Sequence, residues 1–277
     1  MMRLKQAAKW ILPPVLLLPF RPRVVPDERL TRFVEYPTWG DAVAAAGGYQ
    51  SDAILDIQRA AMRKVRDGEA VYERDSVLFD KIEYSFPLLA TLLSLAARNN
   101  GRLSVLDFGG ALGSSYYQNR GMLSHLSALN WHVVEQPHFV AAGREEFENG
   151  QLRFFPTLEA SWQASAPDIV LLSSVLQYLD SPFALLAEIS RRAPPFILVD
   201  RTPVLDSGAE RAFVQIVPAF IYPATYACRL FAPGAIETAL ADCYDLGYGF
   251  DAIGMPIVTG DARARYRGSF FERRKAT

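Results

Sequence analysis

The stretch VLDFGGALGSSYYQNR (105–120) places an acidic residue, Asp107, directly before a glycine-rich turn. Gly109, Gly110 and Gly113 let the backbone reverse sharply and approach a ligand closely, while the following helix aims its N-terminus at the same place. Dinucleotide-binding turns follow G-x-G-x-x-G, and here the corresponding positions are Gly109, Ala111 and Ser114. Asp107 would also set its negative charge against a pyrophosphate. The same carboxylate suits a cationic ligand that carries no phosphate.

These residues need a frame. From Leu103 onward, short apolar runs alternate with helical stretches: LSVLDF (103–108), WHVVEQ (131–136), QLRFF (151–155), DIVLLSS (168–174) and FILVDR (196–201). Runs that are apolar on both faces and separated by helices, such as Val140 to Glu148 and Pro182 to Arg192, indicate a parallel sheet covered on both sides. The reading is an α/β, doubly wound, mostly parallel sheet in which ligands bind beyond the carboxyl ends of the strands. DLGYGFDAIGMP (245–256) and ARARYRGSFFERR (262–274) read as two strands forming an antiparallel C-terminal edge.

Residues 31–100 read as a helical extension or lid, with residues 101–277 as the ligand-binding domain. Thr38 or Asp41 would cap a helix from Thr38 to Ala46, and Ser51 would cap SDAILDIQRAAMRKVRDG (51–68). Pro87 would open a third helix, ending near Ala97. Residues 1–30 form a separate leader: Arg3, Lys5 and Lys9 precede an apolar run from Trp10 to Phe20. That run is shorter than the roughly 20 residues needed to cross a bilayer, and Pro13 and Pro14 would break a helix there. With no small-residue cleavage site, secretion is disfavoured. Residues 1–23 would either lie on the cytoplasmic membrane surface or dock on the protein's own body.

Composition narrows the function classes. The chain has 277 residues, 29 Lys+Arg against 30 Asp+Glu, and is 50% hydrophobic. It can bury a core, and it lacks the basic footprint that a nucleic-acid partner requires. Cys228 and Cys243 are too few for a disulfide framework and read as buried thiols. Three histidines (His125, His132, His138) argue against a histidine-rich metal centre, so no metal site is assigned.

The motif Asp107-x-Gly109-x-Ala111-x-Gly113 at the end of an apolar strand resembles the first motif of class I S-adenosylmethionine-dependent methyltransferases, with Ala111 replacing the central glycine. The strings FVEYPTW (33–39), GEAVYERDSVLFD (68–80), WHVVEQ (131–136), LLSSVLQYL (171–179) and DRTP (200–203) also resemble a bacterial methyltransferase family associated with surface-polysaccharide biosynthesis. The resemblance implies S-adenosylmethionine as cofactor, with Asp107 near its methionine amino group and Gly109 and Gly110 forming the wall beneath it. Glu135 would hold the ribose hydroxyls, with Gln136 beside it. Ser173, Ser174 and Gln177 would lie at the methionine end or in the acceptor pocket, and Phe155, Thr157 and Leu158 near the adenine. The alternative for Asp107 and Glu135 is that they cap the next elements.

A hydroxyl acceptor must also lose its proton. Candidates for the catalytic side are His138, Asp200 and Tyr178, with Arg201 available to an acidic acceptor. Each has a structural alternative: a cap histidine, a sheet-end ion pair and a core tyrosine. Tyr72 to Asp75 could form a lid or acceptor wall. The stretch VQIVPAFIYPATYACRLF (214–231) reads as an acceptor-pocket insertion with Tyr222 and Tyr226 in it. The implied partner is a small-molecule or glycan-linked acceptor. Two other functions fit the composition: a nucleotide-sugar-modifying oxidoreductase on a dinucleotide fold, and a non-catalytic Rossmann-like binding module.

Overall fold

A computed structural model of the chain describes residues 31–47, 52–74, 76–218 and 224–275. The readings for the leader, Ser51, Asp75 and Tyr222 therefore lie outside the described residues. The extension opens with strand β1 (Arg32–Tyr36) and helix α1 (Trp39–Ala45). Thr38 is the cap of α1: its hydroxyl accepts the Asp41 N–H at 3.1 Å and donates to the Asp41 carboxylate at 2.7 Å. Helix α2 (Asp52–Arg66), the hairpin β2 (Tyr72–Arg74) and β3 (Val77–Phe79), and helix α3 (Phe86–Arg98) complete it. Leu88, Leu92, Leu95 and Ala96 of α3 keep a spacing of three to four and face the core. The extension thus holds three helices, as read, with three short strands added.

The doubly wound unit runs β4 (Arg102–Phe108), α4 (Ser114–Leu123), β5 (Ala128–Val134), α5 (Pro137–Glu146), β6 (Leu152–Phe155), α6 (Leu158–Ala164), β7 (Ile169–Ser173), a one-turn 3₁₀ segment (Leu176–Tyr178), α7 (Pro182–Arg192) and β8 (Phe196–Leu205). The first three strands step outward from β4, and the chain then returns to lay β7 on its other side. That return is the topological switch point. Alternate strand residues feed two cores. Leu103, Val105, Trp131, Ile169 and Leu171 pack with α3, α4 and α5, whereas Leu106, Val170, Leu172 and Ile197 pack with α6 and α7.

The remaining elements are β9 (Arg211–Ile216), β10 (Thr225–Leu230), α8 (Ala235–Leu240), β11 (Tyr244–Asp251), β12 (Ile257–Thr259) and β13 (Ala262–Arg273). The strand order is β11-β13-β8-β7-β4-β5-β6. β11 and β13 pair antiparallel as expected, but the strand opposing the sheet is β13, which lies one place inside the edge. The insertion forms its own antiparallel sheet, β1-β9-β10. Arg229 of β10 pins it down: the guanidinium lies 3.9 Å from the Trp39 ring centre, pairs with Glu210 at 2.6 Å, and donates to the Asp180 carbonyl at 2.9 Å. Cys228 is buried as read, whereas Cys243 is exposed because it ends the turn after α8.

Between Arg267 and Ser269 the β13–β8 register shifts, so Asp200 and Arg201 together oppose Gly268. Arg201 takes a left-handed backbone (φ 51°) in this bulge. Helix α2 is held from one side by Glu146 at the end of α5, which receives Arg59 and Arg63 (2.5 Å to the Arg63 Nε) and lies 3.8 Å from Arg66. The three arginines fall on one helical face. Replacing Glu146 by alanine is expected to speed amide exchange in α2 roughly 3- to 10-fold while β4 and β5 keep their protection; unchanged α2 exchange would contradict this anchoring.

Candidate active site

The crevice at the switch point lies between the loops that follow β4 and β7. Gly109 donates its N–H to the Val134 carbonyl at 2.9 Å and takes φ 73°. A Cβ there would lie 2.4 Å from Val175 Cγ2, so glycine alone lets the two loops touch. Ala111 also adopts a left-handed backbone (φ 51°). The alanine that departs from the glycine pattern therefore keeps the glycine-like turn, at a strain of about 1–2 kcal/mol.

Asp107 lies beneath this loop rather than in the crevice. It is 1% exposed, its Oδ2 accepts the Trp131 indole N–H at 3.1 Å, and Gly110 packs directly over its carboxyl group. Burial pushes the Asp107 pKa up to about 7; the Glu135 charge adds to the rise, and hydrogen bonds from Trp131 and Ser115 oppose it. Trp131, two residues from Asp107's cross-strand partner, was not singled out from the sequence.

Glu135 leaves the end of β5 half-buried, and its N–H still reaches the Phe155 carbonyl at 3.2 Å. Its carboxylate accepts the Gln136 N–H at 2.6 Å. Burial raises its pKa, and the backbone N–H groups of Gln136 and of Ala111 in the glycine loop favour its charged form. One of about four acceptor positions on the carboxylate is thus used by Gln136. Gln136 is the N-cap residue of α5. Thr157 caps α6 through the Ala160 N–H at 3.1 Å, and Phe155 and Leu158 are buried in the core.

Asp107, Ser173 and Asp200 all point to the α3–α4 face, along the carboxyl edge of three adjacent strands. Ser173 donates to Asp200 Oδ2 at 3.1 Å, and the Ser174 N–H bonds the Asp200 carbonyl at 2.9 Å. Asp200 is 2% exposed. Burial raises its pKa, while Arg201, Ser173 and Ser85 favour its charged form. Gln177 is fully buried; its amide donates to Ser174 Oγ at 3.0 Å, and its Oε1 has no hydrogen-bond partner. Tyr178 donates to Gln215 Oε1 at 2.9 Å, with its ring 5.9 Å from that of Tyr226. His138 sits in the first turn of α5 against Phe139. The strand that leads into this helix, β5, is three places from β8, roughly 14 Å at the usual strand spacing, so His138 and Asp200 do not converge.

The extension reaches the same place. Ile54 of α2 packs with Val217 and Tyr226, beside Tyr178, while Met62 lies 3.7 Å from Ser114 Oγ at the start of α4. Glu73, in the stretch read as a lid or wall, is buried, accepts the Ser114 hydroxyl and accepts the Ser76 N–H at 3.0 Å. Arg120 stacks 4.5 Å from the Tyr117 ring, a structural role. Ser85, before α3, was missed by the sequence reading because it lies in no motif.

Five parallel strands are joined by β13, which runs antiparallel and lies between β8 and the edge strand β11. This is a doubly wound, mostly parallel, Rossmann-like α/β fold, as expected from the sequence. No family profile and no curated protein matches the sequence. Among solved structures the chain is similar to the Burkholderia thailandensis 1,6-didemethyltoxoflavin-N1-methyltransferase, at 16% identity over 83% of this chain and 94% of that one, TM-score 0.42. It is similar to the N-terminal domain of EvdMO1 with S-adenosylhomocysteine bound, at 13% identity over 82% and 100%, TM-score 0.46. A third is magnesium protoporphyrin IX methyltransferase from Synechocystis with bound S-adenosylmethionine, at 13% identity over 79% and 99%, TM-score 0.41.

Asp107 gives a pH test of the site's electrostatics. Its folded pKa lies above the ordinary 3.8, so it binds a proton more tightly folded than unfolded, and that stabilisation is lost as pH rises from about 4 towards 7. Asp107→Asn can still accept the Trp131 bond and does not titrate. The variant is expected to gain urea stability relative to wild type between about pH 4.5 and pH 7.5; parallel profiles would contradict the assignment.

Proposed function

We propose that the chain is an S-adenosylmethionine-dependent methyltransferase that methylates a hydroxyl of a small or glycan-linked acceptor, with Asp200 taking the proton. The observation that carries this reading is the alignment, along one strand-end crevice, of a glycine wall, a carboxylate beside that wall and a buried carboxyl group three strands away. The residues fit the cofactor. Glu135 keeps free acceptor positions for a ribose diol, the Gly109–Gly110 backbone offers a close-approach surface, and Gln177 Oε1 is a buried acceptor lacking a donor. Asp107, beneath the loop, contributes negative charge when ionised rather than a direct contact.

When bound, S-adenosylmethionine supplies an electrophilic methyl group on a positively charged sulfur. The protein's part is to bind and orient the acceptor and to take its proton. Holding the acceptor oxygen in line with the methyl group is the largest available contribution, about 7–11 kcal/mol for well-oriented partners. Asp200 would take the proton of the acceptor hydroxyl as that oxygen receives the methyl group. Burial makes Asp200 a stronger base than an exposed aspartate, and Ser173 fixes its orientation. α2 and the Tyr178–Tyr226 pair shield this end from water.

A role in surface-polysaccharide biosynthesis rests on the sequence resemblance. Residues 1–23 would hold the enzyme at the cytoplasmic membrane surface, where lipid-linked precursors lie. Among the described residues, no helix is long and apolar enough to cross a membrane.

Calorimetry with S-adenosylmethionine and S-adenosylhomocysteine tests the cofactor assignment. Both are expected to bind, and Glu135→Ala is expected to weaken them roughly 10- to 100-fold through the lost charge-assisted bonds. Asp200→Asn should preserve binding and abolish methyl transfer to cell-surface glycan precursors. Absence of binding by either ligand would overturn the reading; binding with no turnover on any hydroxyl acceptor would favour a non-catalytic module.

A further inference from the structure

The carboxyl group of Asp107 is enclosed from two sides. On one, Trp131 of β5 donates its indole N–H to Oδ2 at 3.1 Å, and both side chains are buried. The register makes this pair: Asp107 lies opposite Val133, and Trp131 stands two residues earlier on the same face of β5. On the other, the Gly110 backbone lies so close that a Cβ there would stand 2.6 Å from both Cγ and Oδ2 of the aspartate. Gly110 belongs to the loop that offers the close-approach surface, so a single layer of backbone separates this carboxyl group from a ligand on that surface. A buried indole N–H and a buried carboxyl group are each costly alone, and the bond between them offsets both costs.

We propose that Trp131 is a positioning residue that favours the charged form of Asp107 beneath the glycine loop, and that this charge makes the site prefer the cationic methyl donor to its neutral demethylated product. The proposal rests on the methyltransferase reading and adds to it a basis for exchanging product for donor. S-adenosylmethionine and S-adenosylhomocysteine share adenine, ribose, amino and carboxylate groups; they differ in the charge on sulfur. Bonds from Glu135 or from the loop backbone act on both alike. A fixed negative charge under the loop attracts the sulfonium and has no opposite charge to act on in the thioether. Burial pushes Asp107 towards its neutral form, so a donor to the carboxylate decides how much of it is ionised. The other carboxyl groups around it are Glu135 at the end of β5, Glu73 of β2 at the start of α4, and Asp200 at the end of the second strand along.

The ratio of the two affinities, measured by calorimetry on the full chain from about pH 5.5 to about pH 7.5, tests this. In wild type the preference for S-adenosylmethionine is expected to grow about 3- to 10-fold as pH rises towards 7 and Asp107 ionises. Asp107→Asn keeps an acceptor for Trp131 and does not titrate, so its ratio should stay constant with pH. Trp131→Phe keeps an apolar ring and removes the donor. In the unloaded protein, the carbon-13 signal of the Asp107 carboxyl group, assigned by its loss in Asp107→Asn, should then titrate about 1–2 pH units higher than in wild type. A wild-type ratio that does not change with pH would overturn the proposal. So would a pH dependence that persists in Asp107→Asn, which would belong to Asp200, or an Asp107 titration that Trp131→Phe leaves in place. Asp107→Asn leaves Trp131 packed, so the ratio test stands even where Trp131→Phe does not fold. Failure of both ligands to bind would overturn the cofactor reading and the donor preference with it, while the carbon-13 titration, read without ligand, still decides the role of Trp131.

Discussion

The contact between Gly109 and Val175 governs the geometry of the carboxyl end of the sheet. At the switch point the loops after β4 and β7 diverge toward opposite faces, yet here they touch through a backbone with no side chain at Gly109. That closeness sets the depth of the crevice. It brings Ser173 and Ser174, and through them Asp200, onto one line with the glycine loop. The N–H of Gly109 is anchored to Val134, so the same turn also fixes where Glu135 emerges from β5. The glycine wall, Glu135 and Asp200 are therefore positioned from one point.

Burial acts on the carboxyl groups around this point in two ways. Asp107 and Asp200 are both raised in pKa because the surrounding core excludes water. Asp107 is closed over by Gly110 and held by Trp131, so its charge acts through the loop. Asp200 lies at the β8 bulge, and its Oδ2 is held by the Ser173 hydroxyl. Buried carboxyl groups are tolerated where hydrogen bonds offset desolvation, and a carboxylate left one bond short is poised to accept a proton. The extension contributes the enclosure, since α2 reaches from the Tyr178–Tyr226 cluster to Ser114.

Much of this was legible in the sequence, because the parallel strands are apolar on both faces and the intervening helices carry their own caps and prolines. The glycine loop, Glu135 and the Ser173–Asp200 pair follow from residues near strand ends. The β1-β9-β10 sheet was not legible: Phe33 pairs with Gln215 and Val34 with Val214, and no local pattern in FVEY announces a partner so distant in sequence. The position of Asp107 beneath its loop also escaped, since it depends on Trp131 being a diagonal neighbour on the next strand.

In the proposed arrangement, one crevice holds the methyl donor between Glu135 and Asp200. A crystal structure of the full chain with S-adenosylhomocysteine tests it most directly. Ribose hydroxyls are expected on the Glu135 carboxylate, with the sulfur facing the Asp200 side of the crevice. A ligand seated elsewhere, or one whose ribose avoids Glu135 and whose sulfur points away from Asp200, would contradict it.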